Sequence, residues 1–249
     1  MSIFNRKKNN TPEVTTHSVS EAETRGKVVL KKATEGLDRS IVRLKKDKGI
    51  DLQGHKARVF VVIDRSGSMS SMYRNGEVQE VLTRLLPLAL KFDDNGELEV
   101  YVFNTDCHQL KEMTLKNYEN YVEKEIIKKG KGPFGGTCYA PVVEKTTKSY
   151  NNNNPAPAFG IVITDGENSD RLETDTAIRK SSKYKIFYQF VGIGYDNFSY
   201  LQKLDDLDGR AVDNTAFIKV ADFKNLTDDQ LYDKLLEQYP DWLKAMNIR

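Results

Sequence analysis

Short, dense runs of apolar residues alternate with longer amphipathic stretches along most of this 249-residue chain. Five apolar runs predict β-strands, at 58–63, 97–103, 158–164, 185–193 and 215–220. The runs 58–63 and 158–164 are apolar at nearly every position rather than at every second one. Strands of that kind are typical of a parallel sheet that is covered by helices on both faces.

Stretches with apolar residues every three or four positions predict helices between these strands. They lie at 77–91, 117–127, 139–149, 172–182, 197–204 and 227–238. Pro87 lies inside the first helix and predicts a kink or an early end there. Strands that alternate with helices imply βαβ units, so we expect an α/β fold with a doubly wound, mainly parallel, Rossmann-like sheet. Right-handed crossovers then place the strand-to-helix loops at one edge, where ligands bind.

The N-terminal part of the chain differs from this repeating pattern. Residues 1–20 are polar without periodicity and predict a flexible tail, and 21–50 predict a helical extension before a domain at 57–249. The extension has an apolar stripe that must cover the domain or another protein. The stripe consists of Val29, Ala33, Leu37, Ile41 and Leu44.

Charge and composition restrict the expected cellular location of the protein and the kinds of partner that it would bind. The net charge is +2, with +6 in residues 1–50 and −4 in the remainder. We interpret the basic excess as a solvated tail and helix face rather than a nucleic-acid site, because no aromatic residues alternate with it. No apolar leader and no run of 18 apolar residues occur, which predicts a cytoplasmic protein without a membrane span. Cys107 and Cys138 do not form a CxxC pair.

Candidate chemistry lies where two of the predicted strands end. Asp64 follows one strand and Asp165 follows another, so both carboxylates are expected at the ligand-binding edge. Two such carboxylates repel each other unless a positive charge lies between them, and a divalent cation supplies it. Ser66 and Ser68 lie two and four residues after Asp64, a spacing that aims both hydroxyls toward the same place. Gly67 between them allows a tight turn.

A Gly-rich loop at 130–136 precedes Thr137, whose side chain is expected to bring a third hydroxyl to the same place. The resulting donors are all oxygen, part anionic and part neutral, which suits Mg²⁺ best and also admits Mn²⁺ or Ca²⁺. Because few protein groups coordinate directly, water or a partner's carboxylate must complete the shell. Binding of a protein partner would then depend on the metal.

The segment Asp64-Arg65-Ser66-Gly67-Ser68 resembles the DxSxS motif of von Willebrand factor A-type (VWA) and integrin I-type domains. Thr137 after Gly135-Gly136 and Asp165 in Ile-Thr-Asp-Gly resemble the other two motif points of that family, in the same order. The resemblance covers roughly residues 57–220. It implies a metal-ion-dependent adhesion site (MIDAS) in which Asp64, Ser66, Ser68 and Thr137 bind the ion, with Asp165 binding directly or through water.

A narrower resemblance is to bacterial VWA proteins of tellurium-resistance and stress-response operons. It rests on the basic leader, Gly-Gly-Thr-Cys-Tyr-Ala-Pro, Phe-Val-Gly-Ile-Gly and the segment 213–217. This resemblance implies a cytoplasmic scaffold that works with other stress-operon products. Its partners would be proteins, and it would not be an enzyme.

Other interpretations of the same residues remain open. Each Asp, Ser or Thr taken alone is also a common helix or turn cap. A metal-assisted hydrolase or phosphatase is the alternative function, although Gly130–Thr137 lacks the lysine of a P-loop and Ser66 occupies the position of a second catalytic aspartate. His108 is the histidine with the best prospect of approaching Ser66 or Ser68 as a base.

A third class is a module that binds partners through helices. The apolar stripe in 21–48, or the segment 227–243 with Trp242, would then dock a partner helix. The simpler expectation is that both segments pack on their own sheet.

Overall fold

The computed structural model describes residues 16–151 and 155–248, with the backbone alone for 16–23. Residues 1–15, which make up most of the predicted tail, lie outside the described residues. The strands are β1 Arg58–Asp64, β2 Glu99–Phe103, β3 Cys107–Gln109, β4 Ala158–Thr164, β5 Ile186–Ile193 and β6 Thr215–Val220. The helices are α1 Thr16–Lys48, α2 Ser70–Arg74, α3 Glu77–Phe92, α4 Ala140–Tyr150, α5 Arg171–Ser181, α6 Ser199–Asp205, α7 Asp228–Leu235 and α8 Tyr239–Ala245.

The six strands form one sheet in the order β3-β2-β1-β4-β5-β6. Every neighbouring pair is parallel except β2 and β3. The chain winds outward from the centre in both directions, so the order reverses between β1 and β4. Ile63 of β1 lies beside Ile163 of β4, which brings Asp64 level with Thr164 at the carboxyl edge. The predicted doubly wound, mainly parallel sheet is confirmed, and its switch point is the place where ligands of such sheets bind.

Two separate cores cover the two faces of the sheet. Val59, Val61 and Ile63 point into a core with residues of α1, α3, α7 and α8, whereas Phe60 and Val62 point into a core with residues of α4, α5 and α6. Alternation along β1 therefore divides its side chains between two apolar layers. The prediction of helices on both faces is confirmed.

Helix α1 packs on the domain through its predicted apolar stripe. Ala33, Leu37, Ile41 and Leu44 are buried in the same core as α3 and α7. The helix begins at Thr16, so residues 16–20 are helical and the prediction that they belong to the tail is wrong. No glycine or proline occurs between Thr16 and Arg25, and a helix that is anchored further on extends through such a sequence at little cost.

The helices differ from the predictions in three places. The helix predicted at 77–91 is present as α3, but the early end predicted at Pro87 is wrong, because burial of the residues on both sides outweighs the missing hydrogen bond. Only 122–127 of the predicted helix 117–127 is helical, as a π-type turn in which the N–H of residue 128 donates to the carbonyl of residue 123. The helix predicted at 227–238 ends at Leu235, and a separate helix, α8, begins at Tyr239, where Pro240 fits the first turn.

The short edge strand β3 was not predicted. It has three residues, Cys107–Gln109, and pairs antiparallel with β2. A run this short carries no periodicity, so its pairing depends on the turn at Asn104–Asp106 rather than on its own sequence.

His55 is a partly buried histidine on the α8 side of the core. Its Nε2 lies 2.9 Å from the Tyr239 hydroxyl, and its ring packs edge-on against Phe92 and Tyr239. Burial lowers the pKa of His55 to about 4. The unfolded chain takes up a proton below about pH 6.5 and the folded chain does not until about pH 4, so this histidine contributes stability that is lost as the pH falls through that window.

We therefore expect His55→Phe to flatten the pH dependence of stability. Phenylalanine keeps the aromatic contacts but cannot take up a proton. Urea denaturation at pH 7.5 and pH 4.5 measures the free energy of unfolding, and the loss between the two should be about 2 kcal/mol smaller in the variant, after discounting for partial exposure. Parallel losses in both proteins would contradict this assignment.

Candidate metal site

Asp64 occupies the last position of β1 and is fully buried. The backbone N–H of Ser66 donates to Asp64 Oδ1 over 2.6 Å, and the Thr164 hydroxyl donates to Asp64 Oδ2 over 2.6 Å. Burial raises the pKa of Asp64 to about 6, and the bonds from Thr164 and Ser66 act in the opposite direction. Neutral donors at the ends of β1 and β4 thus orient the carboxylate. No basic side chain of the described residues is paired with it.

A chain of hydrogen bonds connects Asp64 to the second carboxylate. The Ser66 and Ser68 hydroxyls lie 3.0 Å apart, and Ser68 Oγ donates to Asp165 Oδ1 over 2.8 Å. Asp165 is half-buried, and burial raises the pKa of its carboxyl, with a smaller contribution in the same direction from the charge of Asp196. Four of the five residues predicted from the sequence therefore lie in one continuous polar cluster.

The loop that carries Thr137 is bound to both of the other loops through its backbone. Gly67 N–H donates to the Gly135 carbonyl over 3.1 Å, and Ser169 N–H donates to the Thr137 carbonyl over 3.1 Å. Gly135 has φ +81°, and a Cβ there would lie 3.0 Å from Asn104 Nδ2, so this turn requires glycine. Within the described part of the chain, the Thr137 hydroxyl makes no hydrogen bond to the other four residues and is left available to a ligand.

No basic side chain of the described residues forms an ion pair with Asp64 or Asp165. The adjacent guanidinium of Arg65 is turned away. Its Nη2 donates to Asn104 Oδ1 over 3.4 Å, and it lies 4.4 Å from the centre of the Phe134 ring. Two carboxylates therefore face the same edge of the sheet without a protein cation to compensate them.

The donor set fits a hard divalent cation. It contains two carboxylates and three hydroxyls and no sulfur or imidazole, which is the chemistry that Mg²⁺, Mn²⁺ and Ca²⁺ prefer. The described residues contain no cluster of three or more His, Cys, Asp or Glu side chains that would form a metal site of another type. A cation here would relieve the repulsion and desolvation that raise the pKa of Asp64.

Two residues that support Asp64 were not predicted. Thr164 directly precedes Asp165 and donates to the Asp64 carboxylate, and the Tyr139 hydroxyl in turn donates to Thr164 Oγ1 over 3.2 Å. The Asp170 carboxylate accepts from the backbone N–H groups of Tyr139 and Ala140 and so positions the start of α4. The sequence carried no distinctive signal for either residue, because the contacts of Thr164 and Tyr139 arise only when β4 pairs with β1.

His108 lies on the edge strand β3, outside the hydrogen-bonded cluster. Its charged neighbour is Asp106, with 3.5 Å between His108 Nε2 and Asp106 Oδ2. Neither Ser66 nor Ser68 makes a hydrogen bond to a histidine among the described residues, since each bonds to the other and Ser68 bonds onward to Asp165. The arrangement of a serine nucleophile with a histidine base is therefore not seen here.

Comparison with known proteins supports the same family. The family model described as vWA-TerF-like, a vWA found in the TerF C terminus, matches residues 56–249. A Bacillus subtilis protein described as the uncharacterized protein YcbR is 41% identical over 191 residues, which are 76% of this chain and 78% of that protein.

Solved structures show the fold at lower identity. A von Willebrand factor type A protein from Catenulispora acidiphila has a TM-score of 0.53 at 17% identity over 73% of this chain and 43% of that one. The SpRpn10 VWA domain has a TM-score of 0.51 at 12% identity over 74% of this chain and 95% of that one. Proximal thread matrix protein 1 of the mussel byssus, with a zinc-occupied MIDAS motif, has a TM-score of 0.53 at 17% identity, over 73% of this chain and 48% of that one.

The mainly parallel six-stranded sheet with helices on both faces agrees with the fold of these structures. VWA domains are generally interaction or adhesion modules. The described part of the chain contains no helix with the length and apolar character needed to cross a membrane. This chain belongs to the vWA-TerF-like family of VWA domains.

Proposed function

We propose that this chain is a metal-dependent protein-binding domain of a cytoplasmic scaffold in tellurium resistance or stress response. One divalent ion, Mg²⁺ by preference, is held by Asp64, Ser66, Ser68, Thr137 and Asp165, either directly or through water. A partner protein supplies a carboxylate to the remaining position, and the partner belongs to the same group of stress-response products. The family match and the mussel protein with a zinc-occupied MIDAS support the metal; the oxygen donors favour Mg²⁺ over zinc.

The observation that carries this proposal is the uncompensated pair of carboxylates. Asp64 is buried and Asp165 half-buried, yet both are bonded only to neutral donors at the switch point of the sheet. A buried charge without a partner is costly, and a bound cation removes that cost. We favour binding over catalysis because the ion would bridge two proteins, and because neither serine is hydrogen-bonded to a histidine among the described residues.

Thermal unfolding with EDTA, Mg²⁺, Mn²⁺, Ca²⁺ or Zn²⁺ tests the metal. A ligand that binds the folded state alone, at about 100 times its dissociation constant, adds roughly 2.7 kcal/mol. For a domain of this size we expect Mg²⁺ to raise the melting temperature by about 5–10 °C. Asp64→Asn should abolish that rise, because asparagine replaces an anionic ligand with a neutral one while retaining similar size.

Asp106→Asn is the matched control, since Asp106 lies in a neighbouring loop at the same edge but outside the proposed set of ligands. Its response to Mg²⁺ should equal that of the wild type. The metal site is rejected if no ion raises the melting temperature of the wild type, or if Asp64→Asn responds as strongly.

A further inference from the structure

Three of the large exposed apolar side chains belong to segments at the carboxyl edge of the sheet. Tyr195 is 87% exposed and Leu172 is 79% exposed, and these are the two most exposed large hydrophobic side chains of the described residues. Phe134 is 54% exposed. We call these three residues the apolar rim. Tyr195 lies in the loop after β5, Leu172 in the first turn of α5 after β4, and Phe134 in the loop before α4.

Backbone contacts and sequence neighbours place the three rim residues at the same edge as the site. Phe134 N–H donates to the Arg65 carbonyl, directly after Asp64. Leu172 lies two residues after Asp170, whose carboxylate accepts from the start of α4 beside the Thr137 loop. Tyr195 precedes Asp196, and a Cβ at Gly166 would lie 3.8 Å from Asp196 Oδ2. The three rim residues therefore belong to three different segments of this edge.

Within the described part of the chain, no packing role explains why positions 172 and 195 carry large apolar side chains. Phe134 has a structural reason to be where it is, because it covers the Arg65 guanidinium. Leu172 lies in the first turn of α5, where a polar residue would serve the helix as well, and Tyr195 lies in a loop. Large apolar side chains that stay exposed beside polar groups are typical of an interaction site rather than of a solvated surface.

Charge selects the kind of partner. Asp165 and Asp196 carry negative charge at this edge, whereas Glu167 is paired with Arg171, so the edge repels a carboxylate until a divalent ion is present. One carboxylate on one metal ion buries little area, and a stable complex needs further contacts around it. Tyrosine in particular is enriched among residues that dominate binding energies.

Resting on the proposed metal site, we infer that the partner is a protein segment in which one acidic residue is flanked by large apolar side chains. The acidic side chain completes the metal shell, and its neighbours pack on Leu172 and Tyr195. The apolar rim thus sets specificity, since it distinguishes such a segment from any other acidic loop.

Three synthetic peptides test this inference directly. They are acetyl-Gly-Leu-Asp-Phe-Gly-amide, its Ser-Asp-Ser counterpart and its Leu-Asn-Phe counterpart. Binding is followed by chemical-shift titration of the ¹⁵N-labelled full chain, in Mg²⁺ and in EDTA. We expect the Leu-Asp-Phe peptide to bind about tenfold more tightly than the Ser-Asp-Ser peptide in Mg²⁺, a gain of about 1.4 kcal/mol. The Leu-Asn-Phe peptide should not bind measurably.

Two double variants separate the rim from general surface effects. In Leu172→Ser/Tyr195→Ser the Leu-Asp-Phe and Ser-Asp-Ser peptides should bind alike. The matched control Leu115→Ser/Val42→Ser removes two other exposed apolar side chains, 55% and 68% exposed, on a distant loop and on α1. It should keep the tenfold difference of the wild type. Phe134 is left unchanged because its loss would also uncover Arg65.

The outcomes distinguish the inference from the proposed function. Equal binding of the Leu-Asp-Phe and Ser-Asp-Ser peptides by the wild type would overturn the rim and leave the metal site intact. If Mg²⁺ strengthens binding of neither, the proposed function itself fails. Tight binding of the Leu-Asn-Phe peptide would overturn the role of the carboxylate. A Mg²⁺-dependent dimer in sedimentation, lost in the rim variant, would assign the rim to a second copy of this chain and overturn the inference as well.

Discussion

Gly160→Ala is expected to destabilise the folded chain by about 3 kcal/mol or more, a large fraction of the stability of a typical domain. Gly160 lies in the middle of β4, between Phe60 of β1 and Tyr188 of β5. A Cβ at this position would lie 2.1 Å from Cζ of the Phe60 ring. The ring occupies the space that any side chain at 160 would need.

Phe60 is not free to move aside. Its ring stacks on Tyr150 with 4.6 Å between centroids and makes edge contacts with Tyr101 and Tyr188, and it is fully buried. The clash must therefore be absorbed by a shift of β4 against β1, the two strands whose ends carry Asp165 and Asp64. We expect urea denaturation to show the loss of stability and, in the fraction that folds, a weaker response to Mg²⁺.

A second substitution tests whether the ring is the cause. Phe60→Leu alone removes aromatic contacts and should cost about 1–2 kcal/mol, but it vacates the space over Gly160. The double variant Gly160→Ala/Phe60→Leu should then be more stable than the sum of the two single effects by about 1–3 kcal/mol. Gly132→Ala is the control, because a Cβ there meets only the side-chain end of Ile127 at 3.5 Å. Additive effects in the cycle would refute the proposed clash.

Elements with a strong repeating pattern were predictable from the sequence, and elements that depend on distant pairing were not. The buried run at 58–63 specifies β1 to within one residue, because a strand that is apolar on both faces has few alternatives. Edge strand β3 has no such pattern, and the periodicity at 117–127 indicates a helix without distinguishing the π-type turn at 122–127. β3 pairs with β2, and the Gln79 side chain of α3 accepts from the N–H of Val122, so both elements depend on a neighbour.

The candidate site divides in the same way. Asp64, Ser66 and Ser68 are close in sequence, so their motif alone predicts the hydrogen-bonded cluster that they form in the structure. The contact between Ser68 and Asp165 spans 97 residues and follows only from the sheet order. Thr164, which orients Asp64, was missed because a threonine at a strand end is ordinary until the neighbouring strand is known.

Arg84→Met is expected to cost about 3–5 kcal/mol and to loosen the last helices of the domain. Arg84 lies on α3 and is buried, and each of the three nitrogens of its guanidinium donates a hydrogen bond. It donates to the Asp228 carboxylate over 2.7 Å and to the backbone carbonyls of Phe223 and Leu226 over 2.7 and 2.8 Å. Methionine fills similar space but leaves a carboxylate and two carbonyls without donors, and breaking a buried pair on one side carries a penalty of this size.

Asp228, the partner of Arg84, lies where α1, α3 and α7 meet. A Cβ at Gly36 of α1 would lie 2.6 Å from Cβ of Asp228, so α1 approaches the start of α7 as closely as glycine allows. Arg39 of α1 binds the neighbouring Asp229, but this pair is largely exposed. Arg39→Met should therefore cost much less than Arg84→Met, which makes it the matched control for the buried arginine.

Urea denaturation followed by circular dichroism measures both losses, and hydrogen exchange of the α7 amides shows where they act. We expect Arg84→Met to accelerate exchange in α7 more than in β1, because the segment before α7 loses its attachment to α3 while the sheet remains paired. Equal costs for Arg84→Met and Arg39→Met would mean that exposed ion pairs, not the buried guanidinium, hold the last helices. In that case α1 would be the main support of α7, and its Arg39 and Arg43 pairs with Asp229 and Asp233 would be the contacts to remove next.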